Sequence, residues 1–280
     1  MPLPRRRPKR IMTKTEPEFD PMRQPLLAHM LELRKRLIWS LLAVLIGFVV
    51  SYYFAPQIYE FLVRPLAQAT AGGEQRPLIY TGLTEAFMTY VKLALWSGCF
   101  LAFPVIASQI WMFVAPGLYK NERHAFLPFL LATPLFFLLG AAMAYYFVFP
   151  LAWKFFLSFE MPAAAGGMPI QMVPRVSEYL SLSMTVIFAF GIAFELPVIL
   201  VLLTRVGLLS SQKLSHFRRY AIVLIFIAAA ILTPPDVVSQ LSLALPLVLL
   251  YELSILGAKW VEKTRAIEAR EADASAGPPP

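Results

Sequence analysis

Tyr220-Ala-Ile-Val-Leu-Ile-Phe-Ile-Ala-Ala-Ala-Ile-Leu-Thr233, followed at once by Pro234-Pro235-Asp236, is the stretch that decides the topology of this 280-residue chain. As a helix its 14 residues rise about 21 Å, short of the roughly 30 Å of hydrocarbon in a bilayer. Five other apolar blocks flank it: Leu37–Ala55, Ala86–Ala115, Ala125–Phe149, Leu180–Thr204 and Val237–Ala258. The first is just adequate for a span and the other four are ample. Counting the short block makes six spans and puts both chain ends on one side; discounting it makes five and separates them.

Charge arbitrates. Six spans place 20 of the 25 Lys and Arg on one side: the N-terminal arm through Arg36, the links at 116–124 and 205–219, and the tail after Ala258. Four fall on the other side, and Lys92 lies inside the second block. A positive-inside bias of that size puts the N-terminus, both links and the C-terminus in the cytoplasm. The expectation is an all-α integral membrane protein. Residues 1–24 form a basic, flexible cytoplasmic arm, 25–258 a six-helix transmembrane domain, and 259–280 a disordered cytoplasmic tail.

Composition agrees. The chain is 58% hydrophobic and 15% charged, against about 45–50% and 25% in ordinary soluble domains. The net charge of +8 does not indicate nucleic acid, because the positive residues flank apolar blocks rather than forming a soluble basic face. Cys99, the single cysteine, can form no internal disulfide. About 36 polar or amphipathic residues precede the first apolar run with no small-residue cleavage site after it, so no cleavable signal peptide is expected. With no phosphate-binding glycine loop, metal-ligand spacing or triad, and with His29, His124 and His216 isolated, no enzyme activity, cofactor or metal is expected.

Between the blocks, Gln57–Leu66 and Leu151–Phe159 mix apolar and aromatic residues as short helices at the bilayer face would, and Ala-Gly-Gly at 71–73 and Ala-Ala-Ala-Gly-Gly at 163–167 break them. Pro104, Pro128, Pro134, Pro197 and Pro246 lie within blocks and predict a bent, concave bundle. A fifth helix too short for the hydrocarbon predicts local thinning of the bilayer.

The arm ends in Leu26-Leu27-Ala28-His29-Met30-Leu31-Glu32-Leu33-Arg34-Lys35-Arg36-Leu37. Leu26, Met30, Leu33 and Leu37 make one stripe at helical period, with His29, Glu32 and Arg36 on another face. Glu32 and Arg36 are spaced for a local ion pair, and the segment reads as an amphipathic helix on the cytoplasmic leaflet. Between blocks two and three, Phe113-Val-Ala-Pro116-Gly117-Leu118-Tyr119-Lys120-Asn-Glu122-Arg123 contains a Pro-Gly turn that sets Tyr119, Glu122 and Arg123 at the membrane face. The bland reading of Glu122 is complementarity to a helix dipole. Acids within spans are costly and mark function by default. Glu195 sits about 15 Å from the cytoplasmic end, either hydrogen-bonded beside the Pro197 kink or as a polar site in a cavity. Asp236 is placed to cap block six, with Gln240 one turn on and Glu252 nearer the cytoplasmic end.

These stretches together resemble the TatC family, the multispanning subunit of the twin-arginine protein translocase. The arm resembles its H-L-x-E-L-R-x-R pattern, with Met30 where Leu is commoner, and the link matches F-x-x-P-G-L-x-x-x-E-R at every defined position. Pro65, Phe194-Glu195-Leu196-Pro197, Thr233-Pro234-Pro235-Asp236 with Gln240, and Glu252 extend the likeness over roughly residues 24–258. The resemblance implies a receptor and scaffold that binds twin-arginine signal peptides of folded precursors through Glu32 and Glu122, with Arg34, Phe113, Pro116, Leu118, Tyr119 and Arg123 shaping the site. It implies intramembrane polar or partner-contact roles for Glu195, Asp236, Gln240 and Glu252, and structural roles for Pro65, Gly117, Pro197, Pro234 and Pro235. Implied partners are TatA- and TatB-type single-span subunits, the lipid bilayer and further copies of the chain, with export driven by the proton motive force across a bacterial inner membrane. Two other classes stay open: a proton- or ion-coupled small-solute transporter using Glu195 and Glu252, and a permease subunit served by a separate ATPase.

Overall fold

Apolar blocks of this length satisfy their backbone inside a bilayer by closing every N–H onto its own helix, and a computed structural model of the chain does so. It describes residues 24–70, 77–114, 123–161, 168, 170–232 and 237–275. The elements are α1 (Gln24–Tyr53), α2 (Ala55–Ala69), α3 (Glu85–Val114), α4 (Arg123–Met143), a π-helical turn (Ala144–Val148), α5 (Phe149–Leu157), α6 (Val176–Ala193), α7 (Leu196–Arg205), α8 (Ser211–Leu232) and α9 (Val237–Ser275). Six stretches are long and apolar enough to cross a membrane: His29–Tyr53, Glu85–Phe113, Pro128–Leu157, Val176–Arg205, Ser211–Ile231 and Gln240–Ile267.

Several boundaries differ from the sequence reading. The amphipathic arm and the first span form one unbroken helix, α1. Block four breaks at Phe194-Glu195, because Pro197, in the first turn of α7, has no N–H to return to the chain four residues back. Block five is longer as a helix than as an apolar run. α8 starts at Ser211 and its 22 residues reach about 33 Å, while the apolar stretch from Tyr220, on which the expectation of bilayer thinning rests, keeps its shorter length. The tail expected to be disordered from residue 259 is helical as far as Ser275; its Ala, Glu, Lys and Arg are strong helix formers. Glu262 anchors it by accepting the Ser211 backbone N–H at 2.8 Å and the Ser211 hydroxyl at 2.5 Å.

The prolines act through the carbonyls they orphan. Pro65 lies inside α2, the short helix expected over Gln57–Leu66, and it leaves the Phe61 carbonyl without its helical donor. The Tyr145 hydroxyl, from the π turn, donates to that carbonyl at 2.7 Å, and its ring stacks on Phe61 at 4.3 Å. Tyr179 of α6 donates to the neighbouring Leu62 carbonyl at 2.7 Å. Pro150 falls in the first turn of α5, and the π turn before it lets the Phe149 N–H reach back to Ala144.

Close packing comes from small residues, as apolar lipid offers no hydrophobic gain for association. A Cβ on Gly47 of α1 would stand 2.6 Å from the Gly98 carbonyl oxygen of α3, and one on Gly140 of α4 would stand 2.4 Å from the Phe190 carbonyl oxygen of α6. α1 lies along α3 and touches little else. The core gathers Leu93, Phe149, Phe190, Leu180, Leu243 and Ile255.

Candidate functional site

Helical spacing brings Leu31, Glu32, Lys35, Arg36 and Trp39 to one face of α1, where Gln109 and Met112 of α3 close an open cleft of about 520 Å³. Glu32 is its acid. The carboxylate accepts two hydrogen bonds from Arg36, one turn on, through Nε at 3.0 Å and through Nη2. That is the local ion pair the spacing predicts, and the Glu32 side chain stays 30% exposed. His29 stacks on Phe113 at 4.2 Å and locks the start of α1 to the end of α3 beside the cleft. Arg34 is exposed and, two residues from Glu32, projects to the other side of the helix. Pro116, Gly117, Leu118, Tyr119 and Glu122 lie outside the described residues, and Arg123 is placed as the first residue of α4.

Glu195 lies at the join of α6 and α7, 6% exposed. Its Oε1 has no hydrogen-bond partner among the described residues. The Thr133 hydroxyl of α4 neighbours the carboxyl; it accepts the Trp111 indole N–H of α3 at 2.8 Å and donates to the Phe129 carbonyl at 3.0 Å. Trp111 and Thr133 escaped the sequence reading because only the fold brings them to Glu195.

Two of the other expected polar residues, Gln240 and Glu252, are engaged. Gln240 donates to the Phe226 carbonyl of α8 at 3.3 Å, tying the two last helices together. Glu252 is neutralised by Arg218 of α8 in a two-pronged ion pair at 2.7 and 2.9 Å, a geometry suited to the planar guanidinium. That pairing removes the free acid a solute transporter would need there. Pro197 serves the helix break, while Pro234, Pro235 and Asp236 lie outside the described residues.

At the far end of α3 stands a second acid that the sequence reading passed over. Glu85 Oε2 accepts the backbone N–H groups of Thr81 at 2.8 Å and Gly82 at 3.1 Å and Nη2 of Arg175 at 3.1 Å, while Oε1 accepts the Ser177 hydroxyl at 2.5 Å. The hydrogen bond to Glu85 raises Arg175 above its ordinary pKa, aided by the Coulomb attraction. Backbone bonds join the same loops: the Ile79 N–H to the Pro174 carbonyl at 3.3 Å, and the Val176 N–H to the Ile79 carbonyl at 2.9 Å. Within the bundle, Phe61, Trp96, Phe100, Leu138, Tyr145 and Met184 line an apolar cavity of about 380 Å³.

The chain matches known proteins over most of its length. The family model described as "Sec-independent protein translocase protein (TatC)" matches residues 28–246. The Sec-independent protein translocase protein TatC of Magnetococcus marinus is 50% identical over 242 residues, 86% of each chain. That of Aquifex aeolicus is 40% identical over 247 residues, 87% of this chain and 99% of its own. A crystal structure of the twin-arginine translocase receptor TatC superposes with a TM-score of 0.71 at 40% identity, covering 84% of this chain and 99% of that one. With six spans and these matches, the chain belongs to the TatC family, as a multi-pass inner-membrane protein and a transport component of the twin-arginine translocation machinery.

Proposed function

We propose that this chain is the receptor and scaffold subunit of its machinery. It binds twin-arginine signal peptides at the cytoplasmic face and gathers TatA- and TatB-type single-span subunits and further copies of itself. Together they export folded proteins on the proton motive force. The observation that carries the reading is Glu32, a half-buried carboxylate on an open cleft, paired among the described residues with an arginine of its own helix. A guanidinium is always charged and forked, so it binds a carboxylate through two parallel N–H groups, which an ammonium cannot do. An incoming arginine replaces Arg36 with a partner of the same chemistry, and the helix pair it displaces is worth only about 0.3–0.5 kcal/mol. Glu122, on the adjoining link, supplies the acceptor for the second arginine. The charge asymmetry of the links puts both acids in the cytosol, where folded precursors arrive.

The test is co-purification with a precursor bearing a twin-arginine signal, against the same precursor with both arginines changed to lysine. Preferential capture of the arginine form, lost in Glu32→Ala and in Glu122→Ala, supports the receptor reading. Equal capture of both precursors by the unaltered chain overturns it.

A further inference from the structure

Glu195 meets α4 at the Thr133 hydroxyl and at the Phe137 backbone, and that hydroxyl is held from elsewhere. Thr133, 4% exposed, has one proton to give and two lone pairs to fill. Its proton goes to the Phe129 carbonyl and one lone pair takes the Trp111 N–H, which leaves one lone pair for the neighbouring carboxyl. We infer that Trp111 is a positioning residue for Glu195: its indole N–H fixes the Thr133 hydroxyl oxygen at the join of α6 and α7, where the buried carboxyl needs a partner.

The arrangement serves both protonation states of the acid. A protonated Glu195 donates to Thr133 Oγ1, which keeps its own proton on Phe129. An ionised Glu195 accepts the Thr133 proton once the O–H turns, and the Phe129 carbonyl keeps the backbone N–H of Thr133, its ordinary helical donor four residues on. In either state Trp111 holds the oxygen still, so the O–H turns while the heavy atoms do not. Trp111 belongs to the last turns of α3, the same turns whose Gln109 and Met112 face the Glu32 cleft, and next to them His29 stacks on Phe113. One short helix end therefore touches both the cleft and the support of the buried acid.

The inference deepens the reading of Glu195 as a functional acid, and its test needs no signal peptide. The full chain, purified in lipid nanodiscs, is treated with dicyclohexylcarbodiimide, which labels protonated carboxyls in apolar surroundings, and Glu195 labelling is followed by mass spectrometry with Glu195→Gln as the blank. Trp111→Phe keeps a ring but loses the N–H, and Glu195 labels faster by about two- to tenfold, the loss of one hydrogen bond. Thr133→Val does the same, Thr133→Ser labels as the unaltered chain, and the Trp111→Phe/Thr133→Val double variant is no faster than Thr133→Val alone. Unchanged labelling in Trp111→Phe, or effects that multiply in the double variant, overturns the inference. Should Trp111→Phe fail to fold, equal labelling of Thr133→Ser and Thr133→Val overturns it instead. Capture of twin-arginine precursor, measured on the same samples, stays within about twofold in Trp111→Phe; if even the unaltered chain fails to capture, the receptor reading falls and the labelling result stands.

Discussion

One helix, α3, carries a carboxylate assembly at each end, and the two are built on opposite terms. At its start Glu85 is 9% exposed and takes hydrogen bonds from two backbone N–H groups, an arginine and a serine. Near its other end, about 36 Å along the axis, Gln109 and Met112 face Glu32, which among the described residues pairs with Arg36 of its own helix and has an open cleft in front of it. A carboxylate with its acceptor sites filled is committed to the fold, and Glu85 staples two loops 90 residues apart in sequence. A carboxylate with sites to spare and a displaceable partner is available to a ligand. The same side chain thus does two jobs, and the number of donors around it separates them.

The largest effect expected from breaking this contrast is at Glu32. Glu32→Ala removes a charge-assisted acceptor worth about 1.5–3 kcal/mol, and twin-arginine affinity falls about 10- to 100-fold while lysine-substituted signal binding barely changes; titration with labelled peptides of both kinds checks it. Next, Glu85→Gln leaves several of the donors unmatched and frees the loops. Added protease then cleaves segments 77–84 and 168–175 about tenfold faster, while twin-arginine capture stays as it was. A loss of capture as large as that of Glu32→Ala would show that the two ends are not independent.

A smaller effect tests the proline chemistry between the ends. Tyr145→Phe strands the Phe61 carbonyl at a cost of about 1 kcal/mol, read as a lower denaturation midpoint. In a Pro65→Ala background the restored N–H takes that carbonyl, and the cost of Tyr145→Phe shrinks. Smallest is Arg36→Ala, which removes the local competitor and raises twin-arginine affinity about twofold; a fall instead would mean that Arg36 holds Glu32 in place rather than occupying it.

What could be read from the chain follows from range. The six spans were legible because hydropathy and charge are summed over tens of neighbouring residues. The Glu32–Arg36 pair was legible because it spans one turn. Glu85 was not, since at the head of an apolar block it looks like a helix-dipole partner, and Arg175 and Ser177 lie 90 and 92 residues away. Trp111 reads as one more interfacial aromatic until α4 places Thr133 under it. The Glu252–Arg218 pair was not legible, because Arg218, 34 residues earlier, stands in a link by hydropathy and in α8 in the fold. The start of α8 was not legible either: seven of its first nine residues are polar, and hydropathy sees composition rather than backbone bonding.

The glycine seam between α1 and α3 sets a timetable for biosynthesis. Gly47 leaves the ribosome 51 residues before Gly98, the residue whose carbonyl fills the hollow beside it. Until then α1 waits in the insertion pathway without the partner that fits its narrow side. Docking is therefore postponed until the second span has crossed, and a bulky residue at either glycine would show first as slow, protease-sensitive maturation of the nascent protein.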